Sequence, residues 1–144
     1  MHIYTTRWYE NSAAVERGPL VYALKIEEDW KWVENEDKYG SYYDVYPKSK
    51  WNYGIHIEAI INPDEGFQVI QHDMKEYPWN LNNAPIELKT KAKIIPEWKM
   101  YNTMPGPLPH SGPQRHLEDI PFEEIRLIPY GCTTLRITEF PLVQ

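Results

Sequence analysis

Thirteen prolines are spread through these 144 residues, from Pro19 to Pro141. Each fixes its own φ and offers no backbone N–H, so a chain interrupted this often builds short extended segments joined by structured loops and no long helix. Six Trp, eleven Tyr and three Phe point the same way, because aromatic side chains suit the pleated, half-buried surface of a sheet. We expect an all-β fold in one domain over residues 1–144, long enough for its own core and too short for two. About eight short strands with long Pro/Gly-rich loops suggest a jelly-roll-like β-sandwich, with an open barrel as the alternative.

The sharpest local signal is Arg17-Gly18-Pro19 running into the apolar segment Leu20-Val21-Tyr22-Ala23-Leu24. Gly18 can take backbone angles closed to other residues and Pro19 can start a strand but not sit inside one, so the pair predicts a turn feeding a strand covered on both faces. A charge beside a buried strand needs a partner, and Glu16 or Glu139 is the expected one for Arg17. Upstream, Ile3 to Tyr9 reads as a first strand and Glu10-Asn11-Ser12 as a turn. Glu27-Glu28-Asp29 is expected to end the strand after Pro19 with charge. Residues 30–43 read as a short extended piece and a turn, and Tyr42 to Tyr46 as a strand stopped by Pro47.

Residues 51–72 predict a hairpin: Ile55, Ile57 and Ala59 alternate with His56 and Glu58, Asn62-Pro63-Asp64-Glu65-Gly66 turns, and Phe67 to Ile70 returns. Ile86 to Ala92 alternates apolar with charged side chains, as a strand with one wet face does. Met104 to Pro113 is dense in Pro and Gly and predicts an irregular loop. Two last strands, 125–131 and 133–138, are expected to pivot about Gly131.

A net charge of −6 leaves no basic stripe for a phosphate backbone, so nucleic acid is not an expected partner. No run of about 18 apolar residues exists to cross a membrane, and Met1-His2-Ile3-Tyr4 lacks the basic and apolar blocks of a signal peptide, which leaves the compartment unread. A single cysteine, Cys132, excludes an intrachain disulfide and a cysteine-only zinc site. Between Gly131 and Thr133 it reads as a small buried residue and not as an activated thiolate.

His2, His56, His72, His110 and His116 form no metal-ligand spacing, and no nucleophile elbow or phosphate-binding glycine loop is present. The acidic groups Glu27-Glu28-Asp29, Glu118-Asp119 and Glu123-Glu124 fall at strand ends and in loops, where solvated charge is the ordinary state. No catalytic, cofactor-binding or metal-binding residue is therefore expected. The aromatics carry the one functional signal. Trp8, Trp30, Trp51, Trp79 and Trp98 neighbour turn residues and would suit a rim that stacks on sugar rings, with Trp79, Trp98 and Trp51 the chosen candidates; the same side chains also fill sandwich cores.

Several segments carry a resemblance: Arg7-Trp8-Tyr9-Glu10-Asn11-Ser12, Glu16 to Leu24, Trp51-Asn52-Tyr53-Gly54, Ala84-Pro85-Ile86 and Ile128 to Pro141. Taken in this order they resemble the β-sandwich region of β-L-arabinofuranosidase-like proteins, glycoside hydrolase family 127, with Arg17, Gly18, Pro19, Tyr130 and Gly131 as its structural signature. In that family a separate (α/α)6 barrel holds a cysteine nucleophile in a zinc site. Cys132 lies in the sandwich motif, so no catalytic residue carries over. The resemblance implies a non-catalytic accessory domain that packs on the catalytic barrel of a parent chain. It leaves a plant-type oligosaccharide as a second partner, and a homodimer through an exposed barrel-docking face.

Overall fold

The computed structural model describes residues 2–8, 11–101, 104–109 and 117–144. Its first six strands are β1 (Ile3–Trp8), β2 (Ser12–Arg17), β3 (Leu20–Leu24), β4 (Glu28–Val33), β5 (Tyr42–Pro47) and β6 (Tyr53–His56). Two short helices, α1 (Ile57–Ile61) and α2 (Pro63–Gly66), lead to β7 (Gln68–Gln71) and the long β8 (Ile86–Ile94). The short pair β9 (Met100–Tyr101) and β10 (Met104–Pro105), then β11 (Glu123–Pro129) and β12 (Phe140–Val143), complete the described strands. The fold is all-β, as the proline and aromatic content predicts.

The strands join edge to edge into a ring. β3 pairs with β2 through Leu20 and Val21, then with β11 through Tyr22, Ala23 and Leu24. β12 makes the corresponding transfer, from β2 at Phe140 and Pro141 to β6 at Leu142 and Val143, where it runs parallel. β8 connects β6 to β11. The two layers of the expected sandwich thus share both corner strands, and the ring β2-β12-β6-β8-β11-β3 has no free edge of its own. β1, whose partner the sequence left open, lies outside the ring on β2, and β7 lies on β8 beside β6.

Inside the ring, Val15, Tyr22, Leu24, Ile55, Leu88, Leu127 and Phe140 are fully or almost fully buried and pack into one core. Two glycines serve this closure. Gly18, at φ 59°, is the first central residue of the two-residue turn between β2 and β3, where tight hairpins need positive φ. Gly54 lets β6 lie against the closing strand, since a Cβ there would stand 2.6 Å from Val143 Cγ1 and 2.8 Å from Ile95 Cδ1.

Several local expectations are corrected. Residues 51–72 are not a hairpin: β6 and β7 both pair with β8, and α1 and α2 lie between them. Ile57, Ile60 and Ile61 satisfy helical spacing while Ile57, Ala59 and Ile61 satisfy alternation, the Glu58 N–H donates to His56 Nδ1 at 3.2 Å to open α1, and Pro63 opens α2 where its missing N–H costs nothing. Residues 133–138 are not a strand. After a 3₁₀ turn at Tyr130–Cys132, this segment is held to β3 by the Leu24 N–H on the Ile137 carbonyl, 2.9 Å, and the last strand is β12.

Glu27-Glu28-Asp29 does not end a strand but begins one. The extended piece of residues 30–43 is longer than expected, with β4 pairing along its whole length to β5 as a separate ribbon. The loop expected from Met104 begins with the β9–β10 pair, and the part of it at 110–113 lies outside the described residues, as do His110, His116, Tyr9 and Glu10. Arg17 forms an ion pair with neither Glu16 nor Glu139. Glu139 instead accepts from Ser12 Oγ at 3.0 Å, while Arg17 Nε is buried without a hydrogen bond, as is the Tyr22 hydroxyl. Burial raises the Tyr22 pKa, and the nearby Arg17 charge opposes that rise.

Candidate functional site

The three tryptophans chosen for sugar contact fall in two places. Trp98 is 4% exposed and belongs to the core; its indole N–H donates to the Gly106 carbonyl at 3.0 Å. Trp51 packs edge-on against it, with ring centroids 5.1 Å apart, and is half-buried. Trp98 is thus part of the core, whereas Trp51, packed against that core, also lines a small apolar cavity with Ile26, Val45, Met100 and Leu135.

Trp79 remains outside, 57% exposed. It lies over Gly131 and, with Pro19, Leu20, Val21, Tyr130 and Thr138, lines an open groove of about 380 Å³. The Gly18-Pro19 turn and the Tyr130-Gly131 turn therefore meet at one surface. Arg136 stiffens it by stacking its guanidinium 4.3 Å from the Tyr130 ring centroid and donating from Nε to the Thr133 carbonyl at 3.2 Å.

A second aromatic surface was not singled out from the sequence. In the β4–β5 ribbon, Trp32 lies opposite Tyr43 and Trp30 opposite Val45, which places Trp30, Trp32 and Tyr43 on one face. The Tyr43 ring sits edge-on to both indoles, 5.7 Å from Trp30 and 5.0 Å from Trp32, and all three side chains are about half exposed. Nearer the body, Val45 and Pro47 line a small cavity of about 80 Å³ with Ile26, Leu135 and Ile137, and Glu28 accepts the Thr134 N–H at 3.1 Å. The usable sign was period-two spacing of aromatics, Trp30 and Trp32, in the piece taken as partly turn.

The strongest charge cluster also escaped the sequence reading. Glu87 on β8 is nearly buried, yet it receives Lys25 Nζ on Oε1 at 3.0 Å and both His72 Nε2 and Arg126 NH1 on Oε2, at 2.9 and 2.7 Å. Burial alone would raise its pKa; the hydrogen bonds from His72, Lys25 and Arg126 and the Lys25 charge reverse this and hold it at about 2. A carboxyl so strongly ionised is no proton donor at neutral pH. The partners converge from the ends of β3 and β7 and from β11, and nothing in the local sequence links them.

The other acidic groups behave as solvated charges should. Asp29 faces Lys31 at 3.8 Å, Glu123 faces Lys50 at 3.6 Å and Glu124 faces Lys89 at 3.2 Å. Cys132 is buried, approaches the Pro78 carbonyl with Sγ at 3.5 Å, and has its pKa raised by burial, which suits a structural thiol. Among the described residues no group of His, Cys, Asp and Glu is arranged to hold a metal ion.

No family model, curated protein or solved structure matches this chain. Among the described residues, its own geometry supplies exposed aromatic surfaces and charged cavities, one beside Glu87 and another lined by His56, Glu58, Lys89, Lys91 and Glu124, as places where function can reside.

Proposed function

We propose that this chain is a non-catalytic accessory β-sandwich module of a β-L-arabinofuranosidase-like glycoside hydrolase, which packs on an (α/α)6 catalytic barrel and supports it. The observation that favours this is the ribbon face of Trp30, Trp32 and Tyr43, half-exposed aromatics set side by side on a two-stranded sheet separate from the ring. Contiguous apolar surface of this kind suits burial against another domain. The resemblance in the Gly18-Pro19 and Tyr130-Gly131 segments supplies the identity of that domain.

A second reading is a carbohydrate-binding module that stacks arabinose-containing glycans on aromatic side chains. Trp79 favours it, since its exposed indole shares a groove with Tyr130 and can offer a flat face to a sugar ring. One experiment separates the readings: titration of the purified chain with a panel of arabinofuranosides and aryl-glycosides, following both released sugar and tryptophan fluorescence. The accessory reading expects no turnover and no saturable quenching. Quenching that saturates and disappears in Trp79→Ala establishes the second reading in its place, and turnover lost on replacing a single carboxylate overturns both.

A further inference from the structure

Beside Glu87 the fold leaves an open cavity of about 390 Å³, whose walls include Lys25, His72, Lys75, Asn82 and Arg126. Its size lies within the roughly 300–1,000 Å³ of ordinary small-molecule sites. Three fixed positive charges, Lys25, Lys75 and Arg126, face two carboxylates, Glu87 and Asp73, so the cavity is cationic in a chain whose net charge is −6. Glu87 accounts for only part of this charge. It occupies NH1 of Arg126 and one position on Lys25 Nζ, which leaves the other guanidinium N–H groups, the Lys75 ammonium and the Asn82 side-chain amide without a protein partner among the described residues.

The walls are set in advance. Asn80 Oδ1 accepts the N–H groups of Asn82 and Asn83 at 3.1 and 2.8 Å, and the Asn80 and Asn83 side chains both donate to the Tyr77 carbonyl at 3.2 Å. Leu81 and Ala84 pin the same loop onto Ile128 and Cys132 in a small core of its own. On the opposite side, the three hydrogen bonds to Glu87 hold Lys25, His72 and Arg126 at their stations. A preformed cationic cavity with unused donors and side-chain amides at its edge suits an anion that also carries hydroxyls.

We propose that this cavity binds a small polyhydroxylated ligand bearing a carboxylate or a phosphate, with Arg126 and Lys75 taking the anionic group and Asn82 a hydroxyl. This site is separate from the aromatic surfaces, so it stands or falls independently of the accessory-domain reading.

The test is an NMR titration of the ¹⁵N-labelled chain at constant ionic strength with glucuronate, glucose 6-phosphate, glucose and inorganic phosphate. Saturable shifts centred on His72, Asn82 and Asn83 are expected with glucuronate or glucose 6-phosphate and not with glucose. Response to glucuronate alone identifies a sugar acid, and response to glucose 6-phosphate together with phosphate identifies a phosphate ester. Lys75→Gln and Asn82→Ala remove no side-chain contact described within the fold; Asn82→Ala is expected to weaken binding about fivefold, the worth of one neutral hydrogen bond, and Lys75→Gln about tenfold, the worth of one between charged groups. Flat titrations with all four compounds, equal response to glucose, or full affinity in both variants would overturn the proposal.

Discussion

Glu87 illustrates how a single side chain can depend on distant parts of a chain. In the sequence it is one charged residue in the alternating run Ile86-Glu87-Leu88-Lys89, and the alternation correctly places it on the outward side of β8. That side is wet only in its middle, at Lys89 and Lys91. At one end the loop after β7 and the side chains of Lys25 and Arg126 enclose Glu87; at the other, Lys93 is buried, donating to the Leu117 and Gln144 carbonyls at 3.1 and 3.0 Å and lying over the Phe122 ring. Period-two patterning reports which face a residue is on, and loops folding back from elsewhere decide whether that face meets water.

The folded pKa of Glu87, about 2, is below its ordinary value of 4.5, so its contribution to stability is complete above pH 4.5 and is lost as the pH falls through 2. Glu87→Gln should therefore flatten the acid limb of stability against pH. At neutral pH it should cost about 2 kcal/mol, less than the roughly 3–5 kcal/mol of a fully buried pair because Lys25, His72 and Arg126 all reach water. Urea unfolding from pH 2 to 7 measures both, and an unchanged acid limb would contradict the assignment. The tryptophans show the same limit of sequence reading: turn residues flank Trp98 and Trp79 alike, yet one indole fills the core and the other lies in solvent.

Among elements, β6 is the most tightly specified. It must lie beside β8 and accept β12 on its other edge, and at Gly54 an added Cβ would crowd Val143 and the Pro141 carbonyl of that closing segment. Gly54→Ala is expected to destabilise the fold by about 1–3 kcal/mol through overpacking against Val143 and Ile95. Gly131→Ala should be nearly neutral, since its added Cβ would meet only Trp79, at an ordinary 3.6 Å. Comparison of their thermal midpoints with that of the parent chain checks both, and equal losses would refute this account of the two glycines. Gly18 and Gly131 look alike as parts of a sequence signature, but only Gly18 is held at positive φ. The α1–α2 excursion was illegible for a related reason: over five residues, Ile57, Ala59 and Ile61 fit alternation while Ile57, Ile60 and Ile61 fit helical spacing, and Gly66 packing directly onto Ala59 is a contact that no local pattern reveals.

For the molecule as a whole, fold class follows from composition, because frequent prolines and abundant aromatics leave little besides short strands. Ring closure does not, because β3 and β12 each divide their pairing between two neighbours and a strand carries no local mark of such a division. The aromatic ribbon yields the prediction at this scale. With Trp30, Trp32 and Tyr43 uncovered, the isolated chain should self-associate, its light-scattering mass rising with concentration toward that of a dimer, and Trp32→Lys with Tyr43→Lys should keep it monomeric. A parent chain that is monomeric at every concentration, or a charged variant that still dimerises, would remove the ribbon as a contact surface.

Placing the closing strand at residues 140–143 also bears on how the protein is made. A ribosome adding residues one at a time can complete β2, β3, β8 and β11, but the gap between β2 and β6 stays open until Phe140 to Val143 have left the exit tunnel. Until then those two strands present unpaired backbone to the cell, and another chain can pair with the edges that β12 later covers.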